Sequence, residues 1–353
     1  MAHPAHRRSP HEKVRAVSEW PKNIERHWFV VARSRSLNSK PSRVTLFGRR
    51  WVLARAADGK VLALEDRCPH RHAPLSEGRM TAQGIECPYH GWTFNGAGAC
   101  TRVPGWPSGE GVPEIRVPAL AIVERDELVW AAAQPMSGVA LPRVAASLDP
   151  ARRRFQWQTK WGAPILDALE NFLDALHTHL IHPGLVRRDG AREAVAATLR
   201  KVDGGFTVDY DGATTQSGLL YRLFESRRTE EHAHFSGPGV AQIEYRYANG
   251  SAIWITLYFT PETSSSTHVF ATLHVAGRWA PAWVVRLFVW PFLRQVARQD
   301  QRILELQTDT VRAFPPQRPV VTKLDLVRPY LEEWWGKPSA SELPQSHRTD
   351  LML

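Results

Sequence analysis

The chain is predicted to be α+β, with an all-β domain first and a mixed domain after it. Three observations predict this. Short apolar or alternating segments fill residues 29–132, punctuated by turns at Asp58-Gly59, Asn95-Gly96 and Arg125-Asp126. A second series of strand-like segments runs from Ala197 to Val275. Two stretches with helical spacing, Pro164–Ile181 and a longer one from about Ala282 to Phe314, bracket that second series.

Residues 1–24 are polar and basic and read as a mobile lead-in. The first domain then spans 25–135. Its strands are Phe29–Ala32, Arg43–Phe47, Trp51–Arg55 and Val61–Glu65, with a strand pair turning at Asn95-Gly96 and a closing hairpin of Ala119–Glu124 and Glu127–Ala132. Residues 136–150, flanked by Pro135 and holding Pro142 and Pro150, read as a linker. The second domain spans 151–335 and opens with a strand at Arg154–Trp161. A helix follows from Pro164, with Leu166, Leu169, Leu173 and Leu176 on an apolar stripe and Pro183-Gly184 ending it. Strands are expected at Ala197–Val202, Phe206–Tyr210, Leu219–Glu225, Gln242–Tyr247, Ile253–Phe259 and Thr267–Val275. Pro291 should kink the late helix. Residues 336–353 read as a tail.

A chain of 353 residues can build two cores, and its 43% hydrophobic and 23% charged content is ordinary for a globular protein. The longest apolar run, Ala280–Leu293, is broken by Arg286 and Pro291, so no transmembrane segment is expected. No apolar signal-peptide core is seen. Three Cys exclude a disulfide framework and suit a reducing cytoplasm. The net charge of +10 is spread along the chain without an aromatic-interleaved basic run, which argues against nucleic acid and suits docking of an acidic electron-transfer partner.

Two short motifs carry chemistry. The first is Cys68-Pro-His70 followed, sixteen residues on, by Cys87-Pro-Tyr-His90. Two thiolates and two imidazoles are the ligand set of a Rieske [2Fe–2S] cluster, in which two His replace two Cys on one iron. Zinc takes the same four ligands. Zinc fingers usually pair Cys with Cys and His with His, whereas each loop here carries one of each, which favours the cluster. Cys100 is left over. The second motif is Glu170-Asn171-Phe172-Leu173-Asp174, followed by His177, His179 and His182. Asp174 and His177 are three apart and share a face if helical. His177 and His182 are five apart, so the helix must distort or end for both to reach one metal. Taken alone, three His in six residues read better as the exposed end of a helix, and His179 as a surface or core residue.

Cys68-Pro-His70-Arg71, Ala73-Pro74-Leu75, Gly78 and Cys87-Pro-Tyr-His90-Gly91-Trp92 resemble the Rieske domain of the Rieske non-haem iron oxygenases, nearest their oxygenase components (alpha subunits) of monooxygenase and demethylase type. Asp-x-x-His-x-x-x-x-His resembles that family's iron motif. The resemblance spans about residues 25–315. It implies a Rieske domain holding a [2Fe–2S] cluster on Cys68, His70, Cys87 and His90. It further implies a helix-grip-like catalytic domain, in which a curved antiparallel sheet wraps a long C-terminal helix. His177 and His182 match the two His ligands of a mononuclear Fe(II), and Asn171 a residue beside the iron. Asp174 matches the acid that links to a cluster-ligating His of a neighbouring subunit. Gln299-Asp300-Gln-Arg-Ile303-Leu304-Glu305-Leu-Gln307 resembles the late helix that supplies the third ligand, which assigns Asp300, with Glu305 and Asp309 as rivals. The implied activity is O2-dependent hydroxylation or demethylation of a small aromatic or cyclic organic substrate by a homotrimer. Electrons would come from NAD(P)H through a separate reductase or ferredoxin, since the chain shows no flavin or nicotinamide fingerprint. A ring-dihydroxylating alpha subunit, a Rieske electron carrier without oxygenase activity and a zinc-stabilised binding protein are the competing readings. Leu220, Tyr221, Phe224, Trp254 and Phe270 are candidates either for the pocket lining or for plain core.

Overall fold

The computed structural model describes the chain except for residues 1–19, 22–23, 134, 136–139, 143–152, 187–191, 212–226, 278–280, 318 and 337–341. The first half is all β. Its strands are β1 (Phe29–Arg33), β2 (Ser42–Leu46), β3 (Arg49–Arg55), β4 (Val61–Glu65), β5 (Arg79–Thr81), β6 (Gly84–Glu86), β7 (Thr93–Phe94), β8 (Cys100–Arg102), β9 (Ala121–Arg125) and β10 (Leu128–Ala132). They form three small antiparallel sheets ordered β1-β10-β9, β2-β3-β4 and β5-β6-β7-β8. The β9–β10 hairpin turns through Asp126 and Glu127, both with positive φ, as a two-residue turn matched to strand twist requires.

The second half is built on one eight-stranded antiparallel sheet. Its strands are β11 (Arg153–Trp161), β12 (Ala194–Val202), β13 (Gly205–Asp211), β14 (Arg228–Ser236), β15 (Val240–Tyr247), β16 (Ala252–Thr263), β17 (Ser266–Ala276) and β18 (Ser346–Met352). They are ordered β11-β17-β16-β15-β14-β13-β12-β18. Five helices accompany it: α1 (Ile165–Leu173), α2 (Thr178–Ile181), α3 (Ala282–Val284), α4 (Trp290–Ala313) and α5 (Arg328–Trp334).

The period of two along the strands divides the sheet into two covered faces. Ala233, Ala241, Leu257, Phe259 and Ala271 join Leu166 and Leu169 of α1 in the main core, which continues into Phe29, Phe47 and Trp51 of the first half. The alternate residues Val240, Tyr258 and Phe270 turn the other way and pack on Val30, Leu128 and Trp130. The β1-β10-β9 sheet therefore seats on the outer face of the large sheet. Trp254, also buried, shares the parity of Tyr258 on β16, so neither Trp254 nor Phe270 faces the helices.

Four differences from the sequence reading stand out. The helix expected over Pro164–Ile181 breaks at Asp174, which is extended at φ −84° and ψ 124°, and resumes only as the short α2. Strand β14 was not anticipated. The stretch read as a tail contributes β18, which pairs with β12 from Ala194↔Met352 to Arg200↔Ser346. The late helix deforms just ahead of Pro291, where Val285–Val289 makes a π-helical turn between α3 and α4. The expected strand Leu219–Glu225 lies outside the described residues, as do Leu220, Tyr221 and Phe224.

Candidate active site

The two Cys/His loops are the same turn made twice. The first follows β4 and the second follows β6. In each, the N–H of the fourth residue after the Cys donates back to the Cys carbonyl: His72 to Cys68 at 2.8 Å and Gly91 to Cys87 at 3.1 Å. In each, the Cys N–H donates to the carbonyl of the fifth: Cys68 to Ala73 at 2.9 Å and Cys87 to Trp92 at 2.8 Å. Both closing residues are left-handed, His72 at φ 61° and Gly91 at φ 70°. A Cβ at Gly91 would also lie 2.9 Å from Pro104 Cγ. Asp66, buried two residues before Cys68, accepts from the Ser76 N–H at 2.7 Å and the Ser76 hydroxyl at 2.8 Å and pairs with Arg43 at 2.6 Å, which fixes the first loop at its root.

The thiols point inward and the imidazoles outward. Cys68 and Cys87 are buried, whereas His70 and His90 are exposed. The two rings approach to 4.6 Å between centroids, and His70 stacks on Trp92 at 4.6 Å and 9°. Burial pushes the Cys68 thiol up to about 11, opposed by backbone N–H groups of His70 and Arg71 aimed at the sulfur and reinforced by the adjacent Cys87. Backbone donors trained on a buried sulfur suit an anionic thiolate whose charge is shared with a metal.

The second constellation forms where the broken helix meets α4. The Asp174 amide caps α1 by donating to Glu170 O at 2.8 Å, and its Oδ1 accepts from the Leu176 N–H at 3.0 Å. This Asx turn redirects the chain. His177 then sits at the N-terminus of α2 and His182 at its C-terminus, so both face α4 across the gap that the break opens. Asp300 meets them there: its Oδ1 lies 3.0 Å from His182 Nε2 and 3.4 Å from His177 Nε2. One ligand atom from each of the three residues falls within 4.8 Å of the others, an arrangement that could hold a metal ion. Asp174 Oδ2 stands 3.7 Å from His177 Nδ1 on the ring's far side.

The electrostatics ask for a cation at the centre. Burial alone would lower the His177 pKa, yet Asp174 and Asp300 together raise it to about 9. Burial would raise Asp300, but the two imidazoles hold it below the ordinary carboxylate range. Two imidazole nitrogens and one carboxylate oxygen are the donor set of non-haem Fe(II) sites, so the residues fit that metal.

His179 is buried inside α2 and is not one of the converging three. Glu305 accepts from Gln301 at 2.9 Å, and Asp309 pairs at 3.7 Å with Arg312. Neither rival joins the converging group. Asn171 lines the cavity in front of the site, and its Oδ1 is buried without a hydrogen-bond partner among the described residues.

Three contributors were not read from the sequence. Gln299 Oε1 accepts from His182 Nδ1 at 3.0 Å; its place next to Asp300 was the available signal. Arg328 of α5 grips α1 through Asp167 at 2.6 Å and Glu170 at 2.8 Å. Arg228 pairs with Glu231 at 2.7 Å, both buried, and lies over the Tyr245 ring at 3.9 Å. The Arg328 contacts join residues 158 and 161 apart, which no local pattern announces; Arg228 and Glu231 stand three apart on one strand, and the Tyr245 ring that Arg228 covers lies on the next.

The cavity is about 110 Å³, on the scale of the roughly 150 Å³ that holds a benzene ring. Phe172, Ile243, Ile255, Phe292, Leu293 and Val296 make its wall apolar, with Glu231 and Tyr245 as polar points. An apolar ring is the shape and polarity that such a space accepts.

An all-β domain with paired Cys/His loops, ahead of a sheet whose helices bring two His and an Asp together beside a small apolar cavity, defines an iron-dependent oxygenase class. The comparisons with known proteins agree. Residues 27–118 match the Rieske [2Fe-2S] domain, and residues 161–328 match the vanillate O-demethylase oxygenase C-terminal domain. The oxygenase component of dicamba O-demethylase from Stenotrophomonas maltophilia is 32% identical over 278 residues, 70% of this chain and 77% of that protein. Aminopyrrolnitrin oxygenase from Pseudomonas fluorescens is 34% identical over 237 residues, 60% of this chain and 64% of its own length. The crystal structure of dicamba monooxygenase bound to 3,6-dichlorosalicylic acid superposes with a TM-score of 0.75 at 24% identity, over 89% of this chain and 97% of that one, a likeness of fold. The chain belongs to the Rieske non-haem iron oxygenases, as an oxygenase component of the monooxygenase and demethylase type.

Proposed function

We propose that the chain hydroxylates or demethylates a small, uncondensed ring compound with O2. In this reading Cys68, His70, Cys87 and His90 hold a [2Fe–2S] cluster, and His177, His182 and Asp300 hold a mononuclear Fe(II). The convergence of His177, His182 and Asp300 carries the proposal. When bound, the two groups supply electron storage and O2 activation.

The chain's own residues do the rest. Gln299 accepts the hydrogen bond of His182 Nδ1–H, which keeps the proton on Nδ1 and leaves Nε2 bare toward the centre. Asp174 orients His177 from behind. In a homotrimer it would also accept a ring N–H from His70 or His90 of the partner subunit; the outward-facing imidazoles and an Asp174 side chain that is 32% exposed support this. The apolar wall excludes water and holds the ring, and Arg228 neutralises Glu231, so that this carboxylate does not face an apolar substrate unpaired. Electrons come from NAD(P)H through a separate reductase or ferredoxin, for which the net charge of +10 suits an acidic partner. Cys68, Cys87 and Cys100 form no disulfide, which suits a cytoplasmic setting.

The test is turnover. The purified protein is reduced chemically and given O2 with a panel of aromatic, methoxy, N-methyl and polycyclic compounds, and products are read by mass together with formaldehyde. Formaldehyde from a methylated compound establishes demethylation. A product heavier by one oxygen establishes hydroxylation. A gain of two oxygens and two hydrogens points instead to ring dihydroxylation. No product from protein shown to carry cluster iron alone overturns the proposal in favour of an electron carrier.

A further inference from the structure

The helix that carries Asp300 begins with a surface that the fold leaves uncovered. Through α3 and the π-helical turn, Val285 faces inward and packs with Leu273, Val275 and Leu293 against the sheet. The opposite side presents Trp283, Leu287 and Phe288, exposed by 67%, 60% and 53%. Positions i, i+4 and i+5 form one apolar stripe. Large apolar side chains that are singly exposed need no explanation, but three on one helix face form a patch.

The charges on the patch's own segment are of one sign. From Pro281 to Gln299 the sequence holds no Asp or Glu, and it holds Arg286, Arg294 and Arg298, all exposed. Trp, Leu and Phe on one side of a helix, with only Arg among its charges, make an interfacial amphipathic helix. Its breadth is limited by Arg286 and Pro291, so it is suited to lying on a bilayer and not to crossing one. Among the described residues no helix is long and apolar enough to cross.

We propose that this face docks on an anionic phospholipid surface, with Trp283, Leu287 and Phe288 in the headgroup–acyl boundary and the arginines against the phosphates. Charge selects this occupant over a second copy of the chain. Two such faces would bring six arginines together with no acid on either segment, whereas an anionic leaflet attracts each arginine. The trimer contact proposed above uses the region of Asp174, which lies near Asp300 at a distance of about 18 Å along the helix from Phe288, by the rise per residue. Phe292, the first cavity-lining residue of α4, follows Phe288 by about 6 Å of helix. Docking would therefore set the cavity close behind the lipid surface. The proposal rests on the surface alone and stands apart from the oxygenase reading.

The test uses full-length, cofactor-loaded protein and vesicle sedimentation. One set of vesicles is pure phosphatidylcholine, and in the other about a third of the lipid is phosphatidylglycerol. The wild type is expected to pellet with the anionic vesicles and to be released by salt. The triple variant Trp283→Ser, Leu287→Gln, Phe288→Ser is expected to lose at least about tenfold in partition. Arg286→Glu, a single exposed change that leaves the apolar stripe intact, should also weaken binding and should reduce its salt dependence. Circular dichroism confirms that each variant is folded. A wild type that stays in the supernatant with anionic vesicles at low salt overturns the proposal. So does undiminished binding of both variants. Sedimentation velocity gives the remaining outcome: a triple variant that loses self-association, in a protein that never binds vesicles, assigns the face to a second copy.

Discussion

His182 and Gln299 meet at 3.0 Å, ring Nδ1 to amide Oε1, on the side of the imidazole away from Asp300. An amide oxygen can only accept, so Nδ1 carries the proton and Nε2 keeps its lone pair for the centre. Residue 299 and residue 300 are consecutive on α4, yet one fixes the tautomer of His182 and the other stands 3.0 Å from its opposite nitrogen. Gln299→Ala is expected to weaken mononuclear iron binding by about 10- to 100-fold. Gln299→Glu, which keeps the acceptor, should retain most of it. Iron titration into cluster-loaded protein reads both, and equal affinities in all three proteins would contradict the role.

Asp174 is placed to position His177 without being one of the converging ligands. Asp174→Ala should keep both cluster and mononuclear iron while turnover falls to near zero. Metal analysis beside product formation checks this. Metal-replete Asp174→Ala protein with normal coupled activity would remove Asp174 from the account.

How much of this was readable in the sequence depends on how local the cause is. The Cys/His loops are local: each is closed by hydrogen bonds spanning four or five residues, so ligand spacing alone displays the turn. The break in the site helix is half local. Pro183 announced an ending, but the chain turns nine residues earlier, where Asp174 takes the Leu176 amide, and an apolar stripe continuing to Leu176 hid it. Strand β14 escaped because Arg228, Glu231 and His234 are buried yet polar, and apolar alternation cannot reveal a strand whose buried members are paired charges. Strand β18 escaped for a different reason. It lies at the edge of the sheet and is mostly exposed and polar, with Arg348 and Asp350 among its outward residues. The grip of Arg328 on α1 joins residues about 160 apart, and no window of sequence contains it.

That grip should be measurable as stability. Arg328 lies between Asp167, Glu170 and Glu332, and these acids raise its pKa despite its burial. Burial pushes Glu170 above the ordinary carboxylate range, offset in part by Arg328. Arg328→Met leaves partly buried carboxylates facing one another, which should cost about 2–3 kcal/mol. Denaturant unfolding of the apo-protein checks this, and a change below about 0.5 kcal/mol would mean that the cluster of charges is solvated.

His268 gives the pH dependence. It stacks on Phe270 at 4.2 Å, and burial lowers its pKa to about 4, with Lys160 and Arg33 adding to the effect against Glu262. The folded protein therefore keeps it neutral while the unfolded chain takes up a proton near 6.5. Between those values the unfolded state binds more protons, so the His268 contribution to stability falls as pH drops from about 6.5 toward 4. His268→Gln removes the titration. The stability of the variant should change less steeply than that of the wild type across this window, and parallel curves would contradict the assignment.

The most direct measurement is a count of iron and acid-labile sulfide per chain in the wild type and in His177→Ala/His182→Ala. The expected result is about three irons and two sulfides in the wild type, and about two irons and two sulfides in the double variant, with the cluster's visible absorption unchanged. Equal iron in both proteins, or a colourless wild type holding zinc without sulfide, would contradict the two-centre site.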